Sequence, residues 1–157
     1  MAVHNLTWVA TSSGVGATEV IHEALLWLTG GEAIVSREKV KSYHGPKMTL
    51  VKAKADRKKA AREAICHLGH DFLSSLASSD DLAERIDENN TLHIRLDLAA
   101  LVSAEIMQSE YQGDGVVKGK IKLEVYPKQN CVEIARQMLQ RSAERAEKEN
   151  YPVQKML

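Results

Sequence analysis

Two hydrophobic periods divide the chain. Residues 6–11 (LTWVAT) are short, β-branched and aromatic and predict a strand. After a polar stretch, Val20, Ile21, Ala24, Leu25 and Leu28 recur at helical spacing to about Thr29, where Gly30-Gly31 stops the helix. Residues 33–43 alternate as a long strand. Its odd positions are Val35, Arg37, Lys39, Lys41 and Tyr43, and its even positions are Ile34, Ser36, Glu38 and Val40. Successive strand side chains point to opposite faces, so Arg37, Lys39 and Lys41 form one basic row. Residues 47–55 predict the next strand, with Thr49, Val51, Ala53 and Ala55 on one face and Met48, Leu50, Lys52 and Lys54 on the other.

Asp56 is a suitable N-cap for a helix over 57–68, whose apolar face is Ala61, Ala64, Ile65 and Leu68. Gly69 breaks it, and 70–86 predicts an interrupted helix that restarts near Ser78-Ser79-Asp80. Asn89-Asn90 is a turn. Residues 91–97 (TLHIRLD) carry the cleanest alternation, Leu92, Ile94 and Leu96 inward and His93, Arg95 and Asp97 outward. A short helix or loop follows, then strands over 104–110 and 116–126, joined as a hairpin through Gln112-Gly113-Asp114-Gly115. In the second of these, Val117, Gly119, Ile121, Leu123 and Val125 share a face opposite Lys118, Lys120 and Lys122. Pro127 stops it. Asn130, with Glu133 three residues on, caps a last helix whose core stripe is Cys131, Ile134, Ala135, Met138, Leu139 and Ser142.

The order β-α-β-β-α-α-β-β-β-α predicts an α+β fold, an antiparallel sheet with helices packed on one face. One domain over 1–150 is expected, with a loose tail at 151–157. The length, 157 residues with 44% hydrophobic and 27% charged, suits one globular core. The longest apolar runs are five residues, too short to span a membrane, and the N-terminus lacks a signal-peptide pattern. With two cysteines, Cys66 and Cys131, and no disulfide framework, a cytoplasmic protein is expected.

Charge changes the picture more than composition does. Net charge is zero, yet residues 37–62 carry ten basic side chains against Glu38 and Asp56, a local +8, while residues 63–117 carry −9. Three strands supply basic rows: Arg37/Lys39/Lys41, Lys52/Lys54 and Lys118/Lys120/Lys122. Like charges across a sheet repel, so such a face implies an anionic partner, and an extended patch fits a nucleic-acid backbone. Arg57, Lys58 and Lys59 at a helix start, with Arg62 a turn later, oppose the helix macrodipole and point to the same kind of ligand.

Other motifs are weaker. The segment SSGVGAT lacks the Gly-Lys-Ser/Thr ending of a phosphate loop and reads as a plain turn. Cys66, His67 and His70 lack a second ligand cluster, so neither a metal nor another cofactor is expected. His44, in the turn Tyr43-His44-Gly45-Pro46, reads as a loop contact, structural or to RNA. No nucleophile–base–acid arrangement accompanies His44 or His93, so a non-enzymatic protein is expected.

Several stretches carry a family resemblance: His4-Asn5-Leu6-Thr7-Trp8, Tyr43-His44-Gly45-Pro46, Arg85-Ile86-Asp87-Glu88, His93-Ile94-Arg95-Leu96-Asp97 and Val125-Tyr126-Pro127. Over about residues 4–142 the chain resembles the archaeal small RNA-binding proteins described as predicted exosome subunits. That resemblance implies a fold similar to the large-subunit ribosomal protein that binds 5S RNA. It also implies RNA as partner, with exosome- or ribosome-related proteins in an RNA processing or degradation machine. Two competing readings are a protein-binding adaptor, with the acidic segment 80–88 meeting a basic partner, and a small RNA hydrolase using His44 and His93.

Overall fold

The structure, a computed structural model, describes residues 3–12, 15–41, 47–109 and 115–152. Its elements are β1 (Val3–Ser12), α1 (Val15–Leu28), β2 (Ile34–Lys41), β3 (Lys47–Ala55), α2 (Lys58–Cys66), α3 (His70–Ala77), a 3-10 turn (Leu82–Arg85), β4 (Thr91–Asp97), α4 (Leu98–Val102), β5 (Val116–Leu123) and α5 (Cys131–Glu149). The expected α+β class holds, with five antiparallel strands in the order β2-β3-β1-β5-β4.

Alternation in the strands becomes burial. Leu6, Trp8 and Ala10 of β1, Val51, Ala53 and Ala55 of β3, Leu92, Ile94 and Leu96 of β4, and Val117, Ile121 and Leu123 of β5 are all buried. They meet Leu25 and Leu28 of α1, Ala61, Ala64 and Ile65 of α2, and Ala135, Met138 and Leu139 of α5 in one core cluster. The helices therefore cover one face of the sheet, as patterning requires of elements apolar on one side. Gly119 is what lets the centre of that face close. A Cβ there would sit 2.4 Å from the fully buried Trp8 ring.

Several local expectations shift. Val20, placed on the core stripe of the first helix, is 43% exposed. Asp56 does not cap α2. The cap position is Arg57, without a side-chain hydrogen bond, while Asp56 pairs with Lys54 at 3.3 Å. The segment 104–109 does not form a hairpin arm with β5. It lies along the outer edge of β4, with a single bridge from Gln108 to Leu96 and backbone bonds from Asp97 to Met107 and from Ser109 to Arg95. β5 is occupied on both sides by β1 and β4, so no edge is left for that arm. The central part of the expected hairpin turn, 110–114, lies outside the described residues. Asn130 caps α5 as expected, its side chain accepting from the Glu133 amide at 3.2 Å. The first two residues of the expected tail lie against the domain. Tyr151 stacks on His67 at 3.9 Å, and a Cβ on Gly69 would meet the Pro152 ring at 2.7 Å.

Candidate nucleic-acid interface

Register decides which basic residues share a surface. Across the uncovered face, Ser36, Lys52, Val9, Lys118 and Arg95 stand side by side on five adjacent strands. The neighbouring row is Ile34, Lys54, Thr7, Lys120 and His93, and below it Lys122 stands between Asn5 and Thr91. Lys118 and Arg95 are direct cross-strand neighbours, with Cβ atoms about 4.5–5.5 Å apart, so these two like charges repel, while Val9 separates Lys52 from Lys118 and Thr7 separates Lys54 from Lys120. Lys52, Lys118 and Lys120 line a shallow groove of about 350 Å³ floored by Thr7 and Val9. Those three lysines make no ion pair among the described residues. Lys54 reaches Asp56, and Lys122 donates to the Asn89 carbonyl.

The β2 row stands on the other side of the sheet. Arg37 pairs with Val51 and Lys39 with Thr49, the core-side parity of β3. Arg37 donates to Glu19 Oε1 at 2.7 Å and to His22 Nδ1 at 3.2 Å, both on α1. That contact holds the Glu19 carboxyl below its usual range and raises Arg37 further. The expectation that Arg37 and Lys39 join the other lysines on one face is therefore corrected: α1 lies over their side of β2 and supplies an acid. Lys41 pairs with Lys47 at the end of the ladder, and His44 lies outside the described residues.

The start of α2 is divided. Arg57 and Lys59 are exposed. Lys58 Nζ is held by Glu124 at 2.8 Å, and Glu124 also accepts from the Tyr126 hydroxyl at 2.9 Å. The Lys58 hydrogen bond is the main reason that the Glu124 carboxyl lies below its usual range. Arg62 lines a groove of about 450 Å³ with Lys58, Tyr126 and Arg141, between α2 and α5.

At the β4 edge the site continues through a residue that sequence reasoning left off the candidate set. Arg95 stands next to Lys118 in the open row. The TLHIRLD alternation already turned it outward; that β4 borders β5 was not readable from it. Beside it, His93 Nε2 lies 2.8 Å from Asp87 Oδ2. Asp87 also accepts from the amides of Asn89 and Thr91, and the His93 bond leads in holding its carboxyl below the usual range.

The remaining motif residues sit elsewhere. The SSGVGAT turn is shorter than expected, since Val15–Thr18 already belong to α1. Thr18 donates its hydroxyl to Ser12 at 3.1 Å, tying the end of β1 to the first turns of α1, and Ser13 and Gly14 lie outside the described residues. Cys66 is buried, and burial raises its thiol pKa. His67 packs under Gly30 and Tyr151, while His70 faces Asp71 and Glu147. No group of three or more metal-ligating side chains converges among the described residues, nor is any helix among them long and apolar enough to cross a membrane.

A family model described as RNA binding matches residues 16–123, the stretch that supplies β3, β4 and β5 with Lys52, Lys54, Arg95, Lys118, Lys120 and Lys122. Among solved structures, a DUF54 protein from Methanothermobacter thermautotrophicus is 28% identical, with a TM-score of 0.70 over 91% of this chain and 99% of that one. A DUF54 protein from Archaeoglobus fulgidus is 23% identical, with a TM-score of 0.66 over 87% and 99%. A UPF0201 protein from Methanococcus jannaschii shares the fold at 12% identity and a TM-score of 0.57 over 86% and 98%. No curated protein matches the chain.

Proposed function

Because the chain belongs to the RNA-binding family, we propose that it binds RNA without catalysis, holding the phosphate backbone on the open face of its sheet. The observation that carries this is the row of Lys52, Lys118 and Arg95, with Lys120 beside it, on a face that no helix covers. Lys118 and Arg95 repel across the ladder, and a polyanion relieves that repulsion with its own charge while releasing its condensed counterions. Lys54 and Lys122 extend the surface, since their exposed contacts are weak enough to exchange for phosphate. Arg57 and Lys59, just beyond the end of β3, are within chain reach of Lys54 and add to it. Arg37, Lys39, Lys41, Lys58, Arg62 and His44 are left out of the main surface in this reading. Such a protein fits the cytoplasm as an accessory of an RNA processing or degradation machine, with exosome- or ribosome-related proteins as neighbours.

The test is fluorescence anisotropy with a generic single-stranded RNA from about 50 to about 200 mM salt. Four phosphates neutralised give a log–log slope of about −3 for a single strand. A flat response would refute backbone binding, and RNA turnover by pure protein would replace it with the hydrolase reading.

A further inference from the structure

We propose that the pocket at the β4 edge is a guanine-reading subsite, so that the protein combines backbone binding with recognition of one unstacked base. This rests on the reading of the open face as an RNA surface. The pocket measures about 440 Å³ and is bounded by the 3-10 turn, β4 and Ser109. That volume lies in the range of small-ligand sites, about 300–1,000 Å³. It begins where the lysine rows end, for its wall residues His93 and Arg95 are the cross-strand neighbours of Lys120 and Lys118. RNA lying along the lysines therefore brings a base to its mouth.

The chemistry of the walls selects the base. Three carboxylates, Asp81, Glu84 and Asp87, stand beside a face that would attract phosphate. Two are already occupied. Asp81 accepts from Arg85 at 3.1 Å and from the Ser79 hydroxyl, and Asp87 accepts from His93 at 2.8 Å. The Glu84 carboxylate has no hydrogen bond or ion pair among the described residues, and neither has the half-buried Arg95 guanidinium. An unpaired carboxylate beside an anion-binding row repels the ligand unless it accepts from one of the ligand's own donors. Guanine offers the matching pair. Its N1–H and N2–H₂ donors suit one carboxylate, and its O6 and N7 acceptors suit an arginine fork. Adenine lacks the N1–H/N2–H₂ pair, and pyrimidines lack N7. Sequence-specific RNA recognition commonly works on such splayed-out bases.

The experiment measures the affinity of short oligoadenylates carrying a single guanosine, inosine or adenosine. Wild type is expected to prefer guanosine over adenosine by about tenfold, with inosine, which lacks the N2 amine, between them. Glu84→Gln is expected to pull guanosine down to the inosine level. Arg95→Lys, which keeps the charge and loses the fork, is expected to lower the guanosine preference without changing the salt slope. Glu84 is exposed and Arg95→Lys preserves the stem, so thermal melts of both variants should match wild type. Equal, salt-steep binding of all three oligonucleotides by wild type would overturn the pocket and leave the open face standing. So would a Glu84→Gln variant that binds all three more tightly by one common factor, the result of simply removing a like charge. Absence of binding to any of them would overturn the open face and the pocket with it.

Discussion

Lys118 and Arg37 are both cations in the middle of strands, and they meet opposite fates. Lys118 stands on the bare face of the sheet between Val9 and Arg95 and has no acid in contact among the described residues. Arg37 stands on the side of β2 over which α1 lies, and its guanidinium is satisfied by Glu19 and His22. Lys58 repeats the second case through Glu124. Arg37 and Lys58 are answered by acids from another element, whereas Lys52, Lys118 and Lys120 on the open face have no acid in contact among the described residues. On the proposed reading, the cations at the centre of the RNA surface are those that no acid of the fold reaches.

The comparison can be broken hardest from the core side. Trp8→Ala should cost about 3–5 kcal/mol, the usual range for emptying a buried large aromatic site, because Trp8 is fully buried against Gly119. Chemical denaturation reads this directly, and a loss under about 1 kcal/mol would mean that the covered face is not close-packed. By contrast, Lys52→Gln, Lys118→Gln and Lys120→Gln together should leave the melting temperature equal or higher. The same triple variant should weaken RNA binding and make the single-strand salt slope shallower by about two units, a little under one for each lost phosphate contact. An unchanged slope would take this groove out of the interface.

A smaller effect lies on the covered side, at His67. Burial lowers its pKa below the ordinary imidazole value. The unfolded chain therefore takes up a proton before the folded one does, and stability falls as pH drops through about 6.5 towards the folded value. Above that window the contribution is constant. Urea titrations at neutral and mildly acidic pH should show the loss in wild type and a reduced loss in His67→Gln. A wild type whose stability does not change across this window would contradict a neutral, buried His67. The smallest effect is expected for Arg37→Gln, whose exposed pair with Glu19 contributes little to folding. RNA affinity and salt slope should match wild type, and a slope change equal to that of Lys118→Gln would erase the distinction between the two faces.

Strand alternation made most of this legible. It sorted Lys52 and Lys54 from Val51, Ala53 and Ala55, Lys118 and Lys120 from Val117 and Ile121, and His93 and Arg95 from Leu92, Ile94 and Leu96, because each of those strands has one plainly apolar side. The α5 cap at Asn130 and the apolar stripes of the helices were equally local and equally readable.

Alternation states which residues share a face, but not which face of the sheet that is, unless apolar weight tips the balance. β2 has no such weight: Ile34 and Val40 stand with Glu38, while Val35 stands with Arg37 and Lys39. Its orientation came only from pairing with β3, which set Arg37 beside Val51 and Ile34, 78% exposed, beside Lys54. Strand order was equally hidden, because neighbours are chosen by long-range packing rather than by chain order. Placing β5 between β1 and β4 is what brought Arg95 to the lysine row and left segment 104–109 against the far edge of β4. The sequence by itself thus determined most of the elements and the sidedness of three strands. Tertiary structure decided which cations are answered by an acid and which remain for a ligand, because an ion pair depends on distance across the fold and not along the chain.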